Sequence, residues 1–350
     1  MYEKKVSKQP PQQPKKLHVR VHFLVVLCIS VLLGLLCLAS ILLLRQPKHQ
    51  KPTPDPRPFE EYSQQVTELV RTKDPTAALE FIEREARTNS KMMELCHPLV
   101  HLVGQLAYEK YGDFAAAIAY QDDTCGSGYL HGVIEKKFIT IKDPVAEMKT
   151  ICSSVPKDDL DTCFHGVGHG LMYYHENDVP KSIGLCQTYT DHTAKIRCAE
   201  GVFMENFSTT EDSLHSTKYL RESDPFYPCN EQPANLKNVC YFYTSIYYLH
   251  LHPRLYSQGL ENCLNAEADQ QYACAKGIGS RVMKENLSDI YFDESVCTQA
   301  TDARRTACIE GLASYHLINF GSLEQTRLMC TQLEIDDQTV CLKYVARQVL

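Results

Sequence analysis

Six residues stand out for the chemistry that their types and spacing permit: His97, His101, His131, Glu135, His165 and His169. They form the pairs His97/His101, His131/Glu135 and His165/His169, each four residues apart. That interval places both members of a pair on one face of a helix. Imidazoles so placed can share a metal ion, and a mixed histidine and carboxylate set suits zinc, iron or copper. A metal held this way activates water or oxygen or polarises a substrate, which is the chemistry of a hydrolase or an oxygenase. His131 and His169 each follow a cysteine by six residues, so equivalent helices stacked in register bring them side by side. His97 and His101 lie one residue out of that register relative to Cys96, and Pro98 suggests a helix start at that point. Glu200 and Glu205 complete a ligand shell from the next helix, although Glu200 also reads as a first-turn acid favoured by the helix dipole. Gly132, Gly166, Gly168 and Gly170 leave room for a ligand to reach the backbone.

A different reading makes the same histidines hydrogen-bonded core residues of a non-catalytic scaffold. Its concave face then binds a protein, a peptide or a glycan. The remaining histidines are less informative. His175 and His192 read as surface residues, and His316 has no evident partner. The aromatic run from Tyr241 to Tyr248 reads as packing. A phosphate loop, a Gly-x-Ser-x-Gly elbow and a His-Glu-x-x-His zinc motif are all missing.

The elements that must position these residues follow from the cysteines. Fourteen of the sixteen lie between residues 96 and 341. Cys152/Cys163, Cys229/Cys240, Cys263/Cys274, Cys297/Cys308 and Cys330/Cys341 are each eleven residues apart, and Cys186/Cys198 are twelve apart. From one pair to the next the step is 33 or 34 residues except across 186 to 229, where Ser208–Tyr227 reads as an insertion. A fixed period near 34 residues is the signature of a two-helix repeat. In each unit a short helix ends at the first cysteine, a polar connection follows, and the second cysteine opens an apolar helix. A disulfide across such a hairpin is within reach, and closing so short a loop stabilises by about 3 kcal/mol. Structural zinc is disfavoured, since its cysteines come in closer C-x2–4-C pairs. Two further units, 76–111 and 113–138, carry one cysteine each; Cys96 and Cys125 either bridge them or stay as thiols.

Glycine stands three residues after the cysteine at Gly128, Gly166, Gly201, Gly277 and Gly311, where close approach of neighbouring second helices would need it. The fold expected is therefore all-α: an αα-hairpin repeat solenoid of about eight units, stapled by disulfides within each repeat. It resembles tetratricopeptide and HEAT arrays in architecture only, because the tetratricopeptide Trp/Leu-Gly-Tyr positions are missing.

Four segments follow along the chain. Residues 1–22 are a basic tail with Pro10, Pro11 and Pro14. Residues 23–44 are an uncharged apolar run long enough to cross a bilayer as a signal-anchor helix. Residues 45–58 are a Pro-rich stalk of about 3 Å per residue, and residues 59–350 are the helical domain. Because that domain needs an oxidising compartment for its disulfides, the tail is expected in the cytoplasm and the domain outside it. The formal charge is −7, with +5 in residues 1–22 and therefore −12 in the rest. An acidic body excludes a nucleic-acid partner that depends on phosphate contacts. Asn206-Phe-Ser208 and Asn286-Leu-Ser288 are glycosylation sequons.

Overall fold

The computed structural model describes residues 57–208, 217–287 and 295–348. The expected tail, the expected membrane span at 23–44 and nearly all of the stalk lie outside these residues. Among the described residues no helix is long and apolar enough to cross a membrane. Residues Pro56–Leu350 form one compact unit. Its described part is all helical, with no strand among the described residues.

The helices run in order α1 Arg57–Thr72, α2 Pro75–Ala86, α3 Ser90–Tyr111, α4 Phe114–Ile118, α5 Thr124–Thr140, α6 Pro144–Thr150, α7 Leu160–Tyr174 and α8 Val179–Cys186. They continue with α9 His192–Ser208, α10 Ala234–Leu251, α11 Tyr256–Asn262, α12 Gln271–Glu285, α13 Ser295–Thr298, α14 Asp302–Phe320, α15 Leu323–Cys330 and α16 Ile335–Arg347. The starts are legible in the chemistry of their caps. Asp74, Asn89, Asp113, Asp143 and Asp178 each accept a hydrogen bond from a backbone N–H of the following first turn. Proline follows closely after Asp74, Asp143 and Asp178, where its missing N–H costs nothing. Helix α3 begins at Ser90, so Pro98 lies inside it and does not mark its start.

The long helices pack in sequence, α3 on α5, α5 on α7, α7 on α9, α9 on α10, α10 on α12 and α12 on α14. Helix α14 also returns to α5. There Ile318 lies beside Gly126, and the Asn319 side-chain amide meets the Met93 sulfur at 3.7 Å. The row of long helices is thus closed upon itself on one side.

Seven disulfides join the cysteines between residues 96 and 341, with Cα–Cα distances from 5.4 to 5.8 Å. Six link the pairs expected from the eleven- or twelve-residue spacing: Cys152 to Cys163, Cys186 to Cys198, Cys229 to Cys240, Cys263 to Cys274, Cys297 to Cys308 and Cys330 to Cys341. The seventh joins Cys96 to Cys125, so these two bridge α3 and the start of α5.

The expectation that the second cysteine of each hairpin opens its helix is corrected. Cys163 and Cys274 stand three residues after the first residue of α7 and α12. Cys198, Cys240, Cys308 and Cys341 stand six residues after the first residue of α9, α10, α14 and α16. The reason is packing. The opening turn of each helix is half-exposed and carries polar side chains, whereas the sulfur must reach the core; Cys198, Cys240, Cys308 and Cys341 have no exposure at all. The first cysteine ends a helix at Cys186 and Cys330, but Cys152, Cys229 and Cys263 lie in short 3-10 turns and Cys297 inside α13. Asn206 is fully buried and hydrogen-bonded to Thr217 and to the Tyr219 carbonyl, which leaves its amide unavailable to a glycan.

Contact between backbones, not space for a ligand, explains Gly132 and Gly168. A Cβ on Gly132 would overlap the His101 carbonyl, and one on Gly104 would overlap the Tyr129 carbonyl. Likewise Gly168 lies against the Cys198 carbonyl and Gly201 against the His165 carbonyl. Gly166 and Gly170 face the side chains of Ile134 and Phe138, so they leave no opening either. These crossings press α3 on α5 and α7 on α9. Gly201→Ala is therefore expected to destabilise by about 3 kcal/mol, because a carbonyl cannot move aside as a side chain can. Gly184→Ala, on the exposed face of α8 with nothing near its added Cβ, should gain up to about 1 kcal/mol from helix propensity. Denaturant unfolding of the two variants measures the contrast.

Candidate metal centre

Helices α3, α5 and α7 bring all six candidate residues to one place. His97 and His101 come from α3, His131 and Glu135 from α5, and His165 and His169 from α7. His131 is central: its ring centroid lies 6.1 and 5.3 Å from those of His97 and His101, and 5.0 and 5.4 Å from those of His165 and His169. The middle of the site is buried, with His131 5%, Glu135 1%, His165 7% and His169 2% exposed, while His97 and His101 are part-buried.

The outward nitrogens of three rings are anchored by groups that can only accept. His97 Nδ1–H donates to the Cys125 carbonyl at 2.7 Å. His101 Nδ1–H donates to Glu135 Oε1 at 2.9 Å, and the other Glu135 oxygen accepts from Gln105 Nε2 at 2.9 Å. His169 Nδ1–H donates to Glu205 Oε2 at 2.8 Å. These partners fix the tautomers: a neutral imidazole that donates from Nδ1 keeps its lone pair on Nε2. The Nε2 atoms then face one another, at 3.0 Å between His97 and His101 and at 3.1 Å between His165 and His169. In the first pair both lone pairs point at each other and repel unless a proton or a metal cation lies between them, whereas in the second pair His165 Nε2–H can donate to His169.

His131 makes the demand plainer. Both of its ring nitrogens are buried and neither has a hydrogen-bond partner. A buried polar atom left unsatisfied costs about 1–3 kcal/mol, so native proteins seldom leave two on one side chain. His165 Nδ1 is also without a hydrogen bond, and Glu200 Oε2 stands 3.9 Å from it. Three sets of ligand atoms lie within 4.8 Å of one another: His97/His101/His131, His131/His165/His169 and Glu135/His169/Glu205. Each set could hold a metal ion.

The left-handed turn Cys125–Ser127 positions the first ring. Its φ angles are 54°, 77° and 59°, and only the middle residue is glycine. Left-handed backbone at a non-glycine costs roughly 1–2 kcal/mol per residue. The turn nevertheless holds, with the disulfide to Cys96 at its first residue, and its Cys125 carbonyl is the acceptor for His97. Sequence reasoning missed this carbonyl and Gln105, because neither backbone acceptors nor a lone glutamine carry a spacing signal. The role of Glu205 had a signal. Glu135 follows its partner His101 by 34 residues and Glu205 follows His169 by 36, both close to the cysteine period.

The other histidines serve elsewhere, and Glu200 stands at the edge of the cluster. His316 bonds to Thr326 at 2.9 Å in the core, which supplies the partner its sequence did not show. His175 is half-buried against Ser182, and His192 is exposed. Glu200 pairs with Arg197, and burial raises its pKa.

Burial, reinforced by the neighbouring His101, pushes the His97 pKa down to about 3. Burial and then His165 lower His131, and burial and then His169 lower His165, both well below the ordinary value. Burial works against charge on Glu135 and His169 also, but their partners prevail. His101 holds Glu135 down to about 2, and the Glu205 hydrogen bond and charge raise His169. The nearby cations Lys284 and Arg197 add to the depression at His97 and His165 respectively.

A pH dependence of stability follows. His97, His131 and His165 stay neutral in the folded chain yet take up protons near pH 6.5 when unfolded. The unfolded state thus binds more protons below 6.5, and metal-free protein should lose stability as pH falls from about 6.5 towards 3. His169 acts in the opposite sense, contributing stability at low pH that is lost as pH rises through its raised folded pKa. Three lowered histidines against one raised, with the lowered Glu135 acting in the same sense at lower pH, give a net loss on acidification. Denaturant midpoints at pH 7 and pH 5 in chelator should show it, and His131→Leu should flatten the slope. No known family, curated protein or solved structure matches this chain.

Proposed function

We propose that this chain is a membrane-anchored, extracytoplasmic metalloprotein that binds a transition metal at the histidine cluster of α3, α5 and α7. The observation that carries the reading is His131, a buried imidazole with no partner on either nitrogen, set between two pairs of rings that turn their Nε2 atoms inward. Metal binding supplies the partners that these atoms lack. Glu135 and Glu205 then act as outer partners that orient His101 and His169 and make them more basic ligands. An imidazole-rich set of this kind favours zinc, copper or iron over magnesium or calcium, which take oxygen ligands. Bound there, such an ion supplies Lewis-acid chemistry, and iron or copper supplies redox chemistry as well.

The wider setting belongs to the same proposal. Residues 23–44 anchor the chain, residues 45–58 hold the domain away from the bilayer, and the disulfides suit an oxidising compartment. The helical domain is a repeat array of αα hairpins, supported by the cysteine period and by the sequential packing of the long helices.

Metal analysis of the full-length chain tests the reading. Wild-type protein, purified without chelator or reloaded with zinc, copper or iron, should carry stoichiometric metal. His131→Ala/His169→Ala should lose it. The wild type should also gain thermal stability on loading, by about 2.7 kcal/mol when free metal stands at one hundred times the dissociation constant. A folded wild type that stays metal-free with all three ions would sink the proposal.

A further inference from the structure

We infer that the centre is dinuclear, with His131 bridging two transition-metal ions through its two ring nitrogens. The inference rests on the metal reading above and adds the number of ions and the residue that couples them. Three observations carry it.

The first is the bite of each histidine pair. Imidazole nitrogens sit about 2.0–2.1 Å from a bound zinc-like ion, so two adjacent ligands on one ion lie about 2.8–3.4 Å apart, from a right-angled to a tetrahedral arrangement. The Nε2 atoms of His97 and His101 are 3.0 Å apart, and those of His165 and His169 are 3.1 Å apart. Each pair therefore already has the spacing of two neighbouring ligands on an ion of its own.

The second is how the pairs are joined. Among the described residues, His131 completes a three-histidine set with the first pair and another with the second. The two sets share that one side chain and no other.

The third is the orphaned state of His131. An imidazole has two in-plane nitrogens, and both are buried here without a partner. A single ion would satisfy one and leave the other as it is. Two ions satisfy both.

The balance of charge and protons is simple. The first ion takes the lone pair of neutral His131. The second takes the other ring nitrogen, whose proton leaves to solvent, and no electron is transferred. The resulting imidazolate, with the carboxylates of Glu135 and Glu205 behind His101 and His169, offsets part of the charge of two dications. Glu135 also spans the two halves, bonded to His101 and lying 3.9 Å from His169 Nδ1.

Copper alone is the probe. The full-length chain is stripped with chelator, reloaded with Cu2+ and freed of excess. Two coppers per chain are expected. Most of their electron paramagnetic resonance intensity should be lost at low temperature, through exchange across the bridging ring. His97→Ala/His101→Ala and His165→Ala/His169→Ala should each keep one copper, with its full uncoupled signal. His131→Ala, with its helicity checked by circular dichroism, should lose the coupling; if it does not fold, the two double variants still decide the count. One copper per wild-type chain overturns the dinuclear centre and leaves the metal reading standing. Two coppers with full independent signals overturn the bridge, and no copper at all overturns both.

Discussion

Backbone-to-backbone contact between neighbouring long helices is the constraint on which the rest depends. Helices ordinarily pack with their axes 8–10 Å apart, kept there by side chains. At the α3/α5 and α7/α9 crossings a glycine on each helix faces a carbonyl of the other, so no side chain holds them off. The carbonyls concerned include those of His101 and His165, which are themselves in the cluster. The crossing and the imidazoles are thus set by the same residues. Moving the backbones apart at Gly132 or Gly201 moves a ring of the centre with them.

Gathering five imidazoles into one place brings an electrostatic problem, and the structure meets it from outside. A carbonyl and two carboxylates hold the outward N–H groups of His97, His101 and His169, so their lone pairs turn inward. Burial keeps His97, His131 and His165 neutral. Neutral imidazoles with inward lone pairs are the form in which histidine binds a metal, whereas protonated ones would repel it. The Glu135 carboxyl, held low by His101, and the Glu205 carboxylate lie behind the rings, where they can strengthen the donors without occupying ligand positions.

Much of this was legible in the sequence. The cysteine spacing pointed to six hairpin disulfides because a local loop of eleven or twelve residues leaves few alternatives. The i, i+4 pairs pointed to the histidine cluster because helix periodicity fixes a face. Other parts were not legible, for physical reasons. A cysteine period marks where the disulfides fall but not the helix starts, so the turns ahead of Cys240, Cys308 and Cys341 were missed. Whether a glycine meets solvent, a ligand or a carbonyl depends on the neighbouring helix, so Gly132 and Gly168 were misread as open space. Asn89 caps α3 a full two turns before Pro98, and the stronger local signal of proline hid it. The left-handed run at Cys125–Ser127 has one glycine where three residues need positive φ, so nothing in its composition announces it. The return of α14 to α5 is a contact across most of the chain, and no local pattern encodes it.

The disulfide between Cys96 and Cys125 also bears on how the proposed metal would reach the cluster. Before it forms, two thiols stand next to His97, one of them its chain neighbour and the other belonging to the residue whose carbonyl anchors its ring. Thiolates are softer and stronger ligands for copper and zinc than imidazole is. An ion arriving at that stage would be drawn to the sulfurs at the edge of the cluster. Once oxidised, the sulfurs are withdrawn from competition, and the turn that orients His97 is closed in the same step. If the cluster takes up metal as proposed, oxidation ahead of loading would keep the sulfurs from competing for the ion.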